Sequence, residues 1–146
     1  MKRSLRIAGV LAALALAWAT GLTQGQTEST SHAVIFTSAD KAKFKETRPG
    51  VSMAVLWGDP DKGPYGAFTK FAPGFDAGMH THTNDVWLVA LKGAYLYKDE
   101  AGEKRVGPGS FMRIPGGKKH WSGGDKKEGA LFYQESSAKF DLVPAK

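Results

Sequence analysis

Beyond Ala33 every apolar run in this chain is strand-length and is soon broken by glycine, proline or aspartate. "AVIFT" comes first, and "ADKAKFKE" reads as one helical turn or a loop. "VSMAVLW" stops at the turn signal "GDPDKGP", and "YGAFTKF" stops at "APGFDAG" before a histidine strand, "MHTH". "VWLVAL", "GAYLYKD", "SFMRI", "ALFYQES" and "KFDLV" follow, with "EAGEK", "RVGPG" and "PGGKKH" as turns. β-Branched and aromatic side chains suit a pleated surface, and short strands at this spacing point to an antiparallel sandwich or barrel. The 18 glycines among 146 residues fit a turn-rich β protein better than a helical bundle. A chain of this length builds one domain with a real hydrophobic core.

The first nineteen residues read as targeting rather than fold. "MKRSLR" is a basic start, "IAGVLAALALAWA" is apolar, and Ala17-Trp18-Ala19 offers small residues at a cleavage site. The run is short for a membrane span, so a cleaved signal peptide (1–19) is expected rather than a retained anchor. The polar stretch 20–31 reads as a flexible leader, and 32–146 as the domain. Export to a bacterial periplasm or beyond follows, with no stable membrane span after cleavage.

Composition removes several function classes. With no cysteine there can be no disulfide, thiolate ligand or cysteine nucleophile, so any metal must be held by nitrogen and oxygen. Losing Lys2, Arg3 and Arg6 with the signal takes the formal charge from +6 to +3. The remaining lysines are scattered, with no arginine-rich stripe interleaved with aromatics, which argues against a nucleic-acid surface. "GPGS" and "GPYG" are turns and open no helix, so neither is a phosphate cradle.

Residues i and i+2 of a strand share a face, so His80 and His82 project side by side. Two imidazoles cannot close a metal site; a third ligand must come from a strand alongside. "GSFMRIPGGKKH" supplies one, because its proline and glycines turn the chain just before His120. Imidazole nitrogens are the usual donors to Zn, Cu, Fe and Ni. The fourth histidine, His32, reads as a surface residue of the leader edge.

These segments together resemble the two motifs of the cupins, G(X)5HXH(X)3-4E(X)6G and G(X)5PXG(X)2H(X)3N. Gly74, His80, His82 and Gly93 match the first, and Gly109, Pro115, Gly117 and His120 match the second. The resemblance covers roughly residues 50 to 140, and "WGDPDKGPYG" and "KFDLVP" resemble an uncharacterised group of small cupin-like proteins. It implies an all-β antiparallel jelly-roll barrel, a divalent metal (Fe, Zn, Mn or Ni) and a small-molecule ligand or substrate, with pairing into a homodimer as a common arrangement.

Two positions depart from the family pattern. Val86 stands where the family has its glutamate, and Gly124 replaces the asparagine that ends the second motif. Asp85, next to Val86, is the candidate fourth ligand if a bulge turns it inward, with Gln134 and Glu135 as weaker alternatives. With Asp85 the site suits Fe(II), Mn(II) or Ni(II); without it, Zn(II) or Fe(II). Trp87, Phe111, Phe132 and Tyr133 are expected as core or pocket lining, Trp121 at the pocket mouth, and Arg113 and Lys118 as cations at its rim. Oxygenase, isomerase or lyase chemistry on a small molecule is one implied function, and a non-catalytic binding or sensing module is the other.

Overall fold

A computed structural model describes residues 34–146. The expected signal peptide and leader, and His32, lie outside the described residues.

Eleven strands form in chain order: β1 Lys45–Arg48, β2 Val51–Gly58, β3 Tyr65–Phe71, β4 Asp76–Thr81, β5 Val86–Gly93, β6 Tyr95–Asp99, β7 Gly102–Val106, β8 Phe111–Ile114, β9 His120–Gly124, β10 Ala130–Ser136 and β11 Val143–Pro144. One sheet runs β1-β2-β3-β10-β5-β8 and the other β11-β4-β9-β6-β7, with every pairing antiparallel. This is the all-β jelly-roll architecture expected from the sequence. Among the described residues no helix is long and apolar enough to cross a membrane.

The sheets meet along their inward faces. Strand β10 alternates strictly, with Ala130, Phe132, Gln134 and Ser136 buried and the residues between them half-buried. Leu88, Ala90, Ile114, Ala130 and Phe132 of the larger sheet pack with Tyr95, Tyr97 and Val106 of the smaller one. Phe71, Tyr95 and Phe132 form an aromatic knot with ring centroids 5.0–5.6 Å apart. Phe71 and Tyr95 of this knot also line the cavity that His80 and His82 face.

Two expected strands are shorter or absent. Residues Val34 to Thr37 form no strand, and Val34 and Phe36 are exposed, because β1 already occupies the edge beside β2. In "KFDLV" only Val143 joins a strand, pairing with Thr81 of β4; the preceding residues cross the open end of the barrel.

Gly93 ends β5 with φ +65°, and a Cβ there would lie 2.2 Å from the carbonyl oxygen of Gly129. Gly93→Ala therefore adds left-handed backbone strain to a backbone clash. Urea denaturation is expected to show a loss of roughly 2–4 kcal/mol; a loss below about 0.5 kcal/mol would mean the two segments are not in close contact.

Candidate metal centre

β4 and β9 bring the histidines together. His80 of β4 lies directly opposite His120 of β9 in the antiparallel register, and His82 follows one residue past the end of β4. The connection into β9 depends on "PGG". Lys118 N–H donates to the Pro115 carbonyl at 3.1 Å, and Gly117 N–H donates to the His82 carbonyl at 2.7 Å. Gly117 sits at φ +74°, a conformation open to glycine at little cost. The turn that delivers His120 is thereby tied to the segment that carries His82.

All three imidazoles are buried, His80 at 1% exposure, His82 at 5% and His120 at 0%. Their ring centroids lie 5.0 Å (His80–His82), 4.2 Å (His80–His120) and 5.3 Å (His82–His120) apart. In each ring Nδ1 faces a backbone carbonyl: Gly78 for His80 at 2.9 Å, Asp141 for His82 at 2.5 Å and Lys118 for His120 at 2.9 Å. A carbonyl can only accept, so each Nδ1 carries the proton and each Nε2 presents a lone pair. Burial holds the rings neutral. It pulls His80 down to about 4, against the opposing pull of the Gly78 carbonyl, and it pulls His82 and His120 down as well.

This is the donor set a divalent metal requires: neutral imidazoles, oriented by Nδ1–H bonds to backbone carbonyls. One ring nitrogen from each histidine lies within 4.8 Å of the other two. The Nε2 of His120 is fully buried and has no hydrogen-bond partner. A buried, unpartnered acceptor beside two others costs stability unless something satisfies it, and a metal ion does so. The three residues fit the group that the motifs imply. Below them Tyr97 stacks on His120 (centroids 5.3 Å, planes 17° apart), and its hydroxyl donates to Asp99 at 2.9 Å.

The fourth-ligand question resolves by strand parity. Val86 is buried at 4% exposure and faces the cavity beside His80 and His82. Asp85 therefore points to the other side. Its Oδ1 accepts the Gly116 N–H at 2.8 Å, and its Oδ2 accepts Arg113 Nε at 2.8 Å and Nη2 at 2.7 Å. The Gly116 N–H, then Arg113, hold this carboxyl below its usual range. Asp85 thus pins the "PGG" turn from outside and is not among the residues gathered at the cluster. Asp85→Ala is expected to lower the melting temperature by a few degrees and to leave metal affinity within about threefold of wild type; a loss above tenfold would place it at the metal. Of the two alternatives, Gln134 is buried in the cavity, where its amide donates to Tyr65 OH at 2.8 Å. Glu135 faces outward and accepts from Tyr133 OH at 2.7 Å.

The five expected pocket residues lie outside the barrel. Trp87 and Phe111 line a shallow outer depression with Trp57, and Phe111 is 65% exposed. Tyr133 belongs to the same outer face and accepts from Trp57 Nε1 at 3.2 Å. Trp121 lies on the outer face of the other sheet, where its Nε1 donates to Asp76 at 2.6 Å. Arg113 is an exposed partner of Asp85, and Lys118 pairs with Asp99 and Glu100. Trp87, Phe111 and Tyr133 are each one residue out of phase with the inward-facing positions of their strands, whereas Phe132 does lie in the core.

The cavity that His80 and His82 face is about 250 Å³. Val51, Met53, Phe71, Val86, Leu88 and Phe140 give it apolar walls, and Arg48, Thr69 and Gln134 supply polar groups. Its open side is crossed by the C-terminal segment. Phe140 packs on His82 at 5.1 Å and on Tyr65 at 6.2 Å between ring centroids, and Asp141 Oδ1 accepts the Thr83 N–H at 2.8 Å. Reading the sequence missed Arg48, Thr69 and Asp141; only Thr69 carried a signal, sharing strand parity with Tyr65 and Ala67.

Solved structures of similar fold include KdgF from Halomonas sp., with 20% identity over 70% of this chain and 94% of that one and a TM-score of 0.57. The polyketide cyclase RemF from Streptomyces resistomycificus matches at 17% identity over 78% and 87%, with a TM-score of 0.64. An RmlC-like cupin from Shewanella frigidimarina matches at 15% identity over 73% and 93%, with a TM-score of 0.58. At these identities the likeness is one of fold. No curated protein sequence matches. A family model described as a domain of unknown function (DUF4437) covers residues 31–146. With cupin-like structures as its neighbours and the barrel described above, the chain is a cupin-fold protein that belongs to the DUF4437 family.

Proposed function

We propose that this protein is an exported, metal-dependent cupin that binds and acts on a small organic molecule in its barrel. The observation that carries this reading is the set of three buried imidazoles whose Nδ1 atoms are all committed to carbonyls, beside a small apolar cavity. His80, His82 and His120 would hold the ion through Nε2. Three histidines without a carboxylate suit Zn(II) or Fe(II). When bound, such an ion supplies Lewis acidity toward an oxygen donor, or redox chemistry if it is iron. The protein's own part is to exclude water with Phe71, Leu88 and Phe140 and to orient the ligand with polar groups on the walls. RemF, a polyketide cyclase, shows that a barrel of this shape hosts an enzyme.

A non-catalytic binding module is the second reading, favoured by the cavity's lining: its one carboxylate, Asp61, is exposed, which leaves little to serve as a general base. Oxygen uptake by the Fe(II)-loaded protein with diketones, thiols and catechols separates the two. Uptake above the His120→Ala background supports an oxygenase, and none with any compound favours the binding module. Export is tested by fractionation and N-terminal sequencing, with mature chains expected to start at Thr20.

A further inference from the structure

We propose that the barrel cavity takes a small organic monocarboxylate, whose carboxylate is held by Arg48 and Thr69 while its apolar body fills the space toward the histidines. This deepens the reading above and depends on it only for what meets the ligand's far end.

Arg48 ends β1 at the cavity and is half-buried there. Among the described residues it forms no ion pair, whereas each of the other described arginines does: Arg105 with Asp125 and Arg113 with Asp85. Its guanidinium lies over the Phe75 ring, 5.4 Å from the centroid, which supports the cation and leaves its N–H donors for another partner. Burial pulls its pKa down, and its charge bears on both His80 and His82. A partly desolvated guanidinium without a counter-charge is a receptor for a carboxylate.

Thr69 is the second, independent observation. It is 2% exposed, lines the same cavity, and its hydroxyl is buried with no hydrogen-bond partner. Neighbouring polar groups are matched, as Gln134 is by Tyr65, so the unpaired hydroxyl is an exception that a ligand oxygen would satisfy.

The rest of the lining sets the ligand class. Val51, Met53, Phe71, Val86, Leu88, Phe140 and Leu142 would leave a phosphate or a polyanion poorly solvated, but they suit one charged end on an apolar body. The volume, about 250 Å³, equals roughly eight water molecules, which limits the ligand to something near the size of benzoate. Asp61, the carboxylate of the lining, is exposed and disfavours a second negative group there.

The test is calorimetric titration of the full mature protein with benzoate, 3-methylbutanoate and 2-oxobutanoate, and with benzamide as a neutral isostere. It is run on metal-loaded and on chelated samples, with metal content measured in every variant. At least one carboxylate is expected to bind about tenfold or more tightly than benzamide. Arg48→Gln should remove that preference, Arg48→Lys should keep part of it, and Thr69→Val should weaken carboxylate binding several-fold, all at unchanged metal content. Benzamide binding should change little with either Arg48 substitution. Failure of all three carboxylates to bind, or equal binding by wild type and Arg48→Gln, overturns the proposal. Carboxylate binding that depends on Arg48 in protein that retains no metal would instead sustain it and remove the metal reading.

Discussion

Val86→Glu is expected to convert a three-histidine site into a four-ligand one, with a large change in metal response. Val86 faces the cavity that His80 and His82 line, so a carboxylate there enters the space beside the imidazoles. Without metal the change loses apolar packing and buries a carboxyl among hydrophobic neighbours. Together these cost roughly 2–4 kcal/mol. With Mn(II) or Ni(II) added, the carboxylate gains a partner, and the ion stabilises the folded state by mass action. The expected result is a metal-free melting temperature several degrees below wild type, and a rise on adding Mn(II) that clearly exceeds the wild-type rise. Equal Mn(II) responses in the two proteins would mean that Val86 does not face the ligand nitrogens.

His82→Ala and His80→Ala are expected to share one large effect and differ in another. Each removes one of three ligands, and metal affinity should fall by more than about a hundredfold, beyond what loss of an outer partner costs. His82 does further work, because its Nδ1–H donates to the Asp141 carbonyl and its ring packs on Phe140. Its removal frees the segment that crosses the open end of the barrel. Hydrogen exchange near residues 137–142 should accelerate in His82→Ala and stay close to that of metal-free wild type in His80→Ala. Equal exchange in both variants would show that the remaining contacts, Thr83 to the Asp141 carboxylate, Asn84 to the Lys139 carbonyl and the Phe140 N–H to the Pro60 carbonyl, hold the segment without His82.

The histidine site was legible because two periodicities converge on it. Alternation puts His80 and His82 on one face, and the antiparallel return after "PGGKKH" sets His120 opposite His80. The ligand set beyond them was not. In "VWLVAL" both faces are apolar, so alternation does not say whether Val86 or Trp87 looks inward. The larger aromatic drew the inward assignment, yet the core takes Val86, Leu88 and Ala90 and leaves Trp87 outside. Asp85 would have needed a bulge to reach the metal, and instead it stays outside, bound to Gly116 and Arg113. Arg48 left no mark, since a cation before "PG" reads as ordinary turn surface, and only tertiary packing sets it over Phe75 at the cavity.

Elemental analysis of the mature protein, purified without a histidine tag and without added metal, tests the three-imidazole centre most directly. About one equivalent of a single divalent metal per chain, with Zn or Fe leading, is the expected result, and His120→Ala should hold less than a tenth of that. Substoichiometric metal in wild type that does not rise to one equivalent on reconstitution, or undiminished metal in His120→Ala, would contradict it.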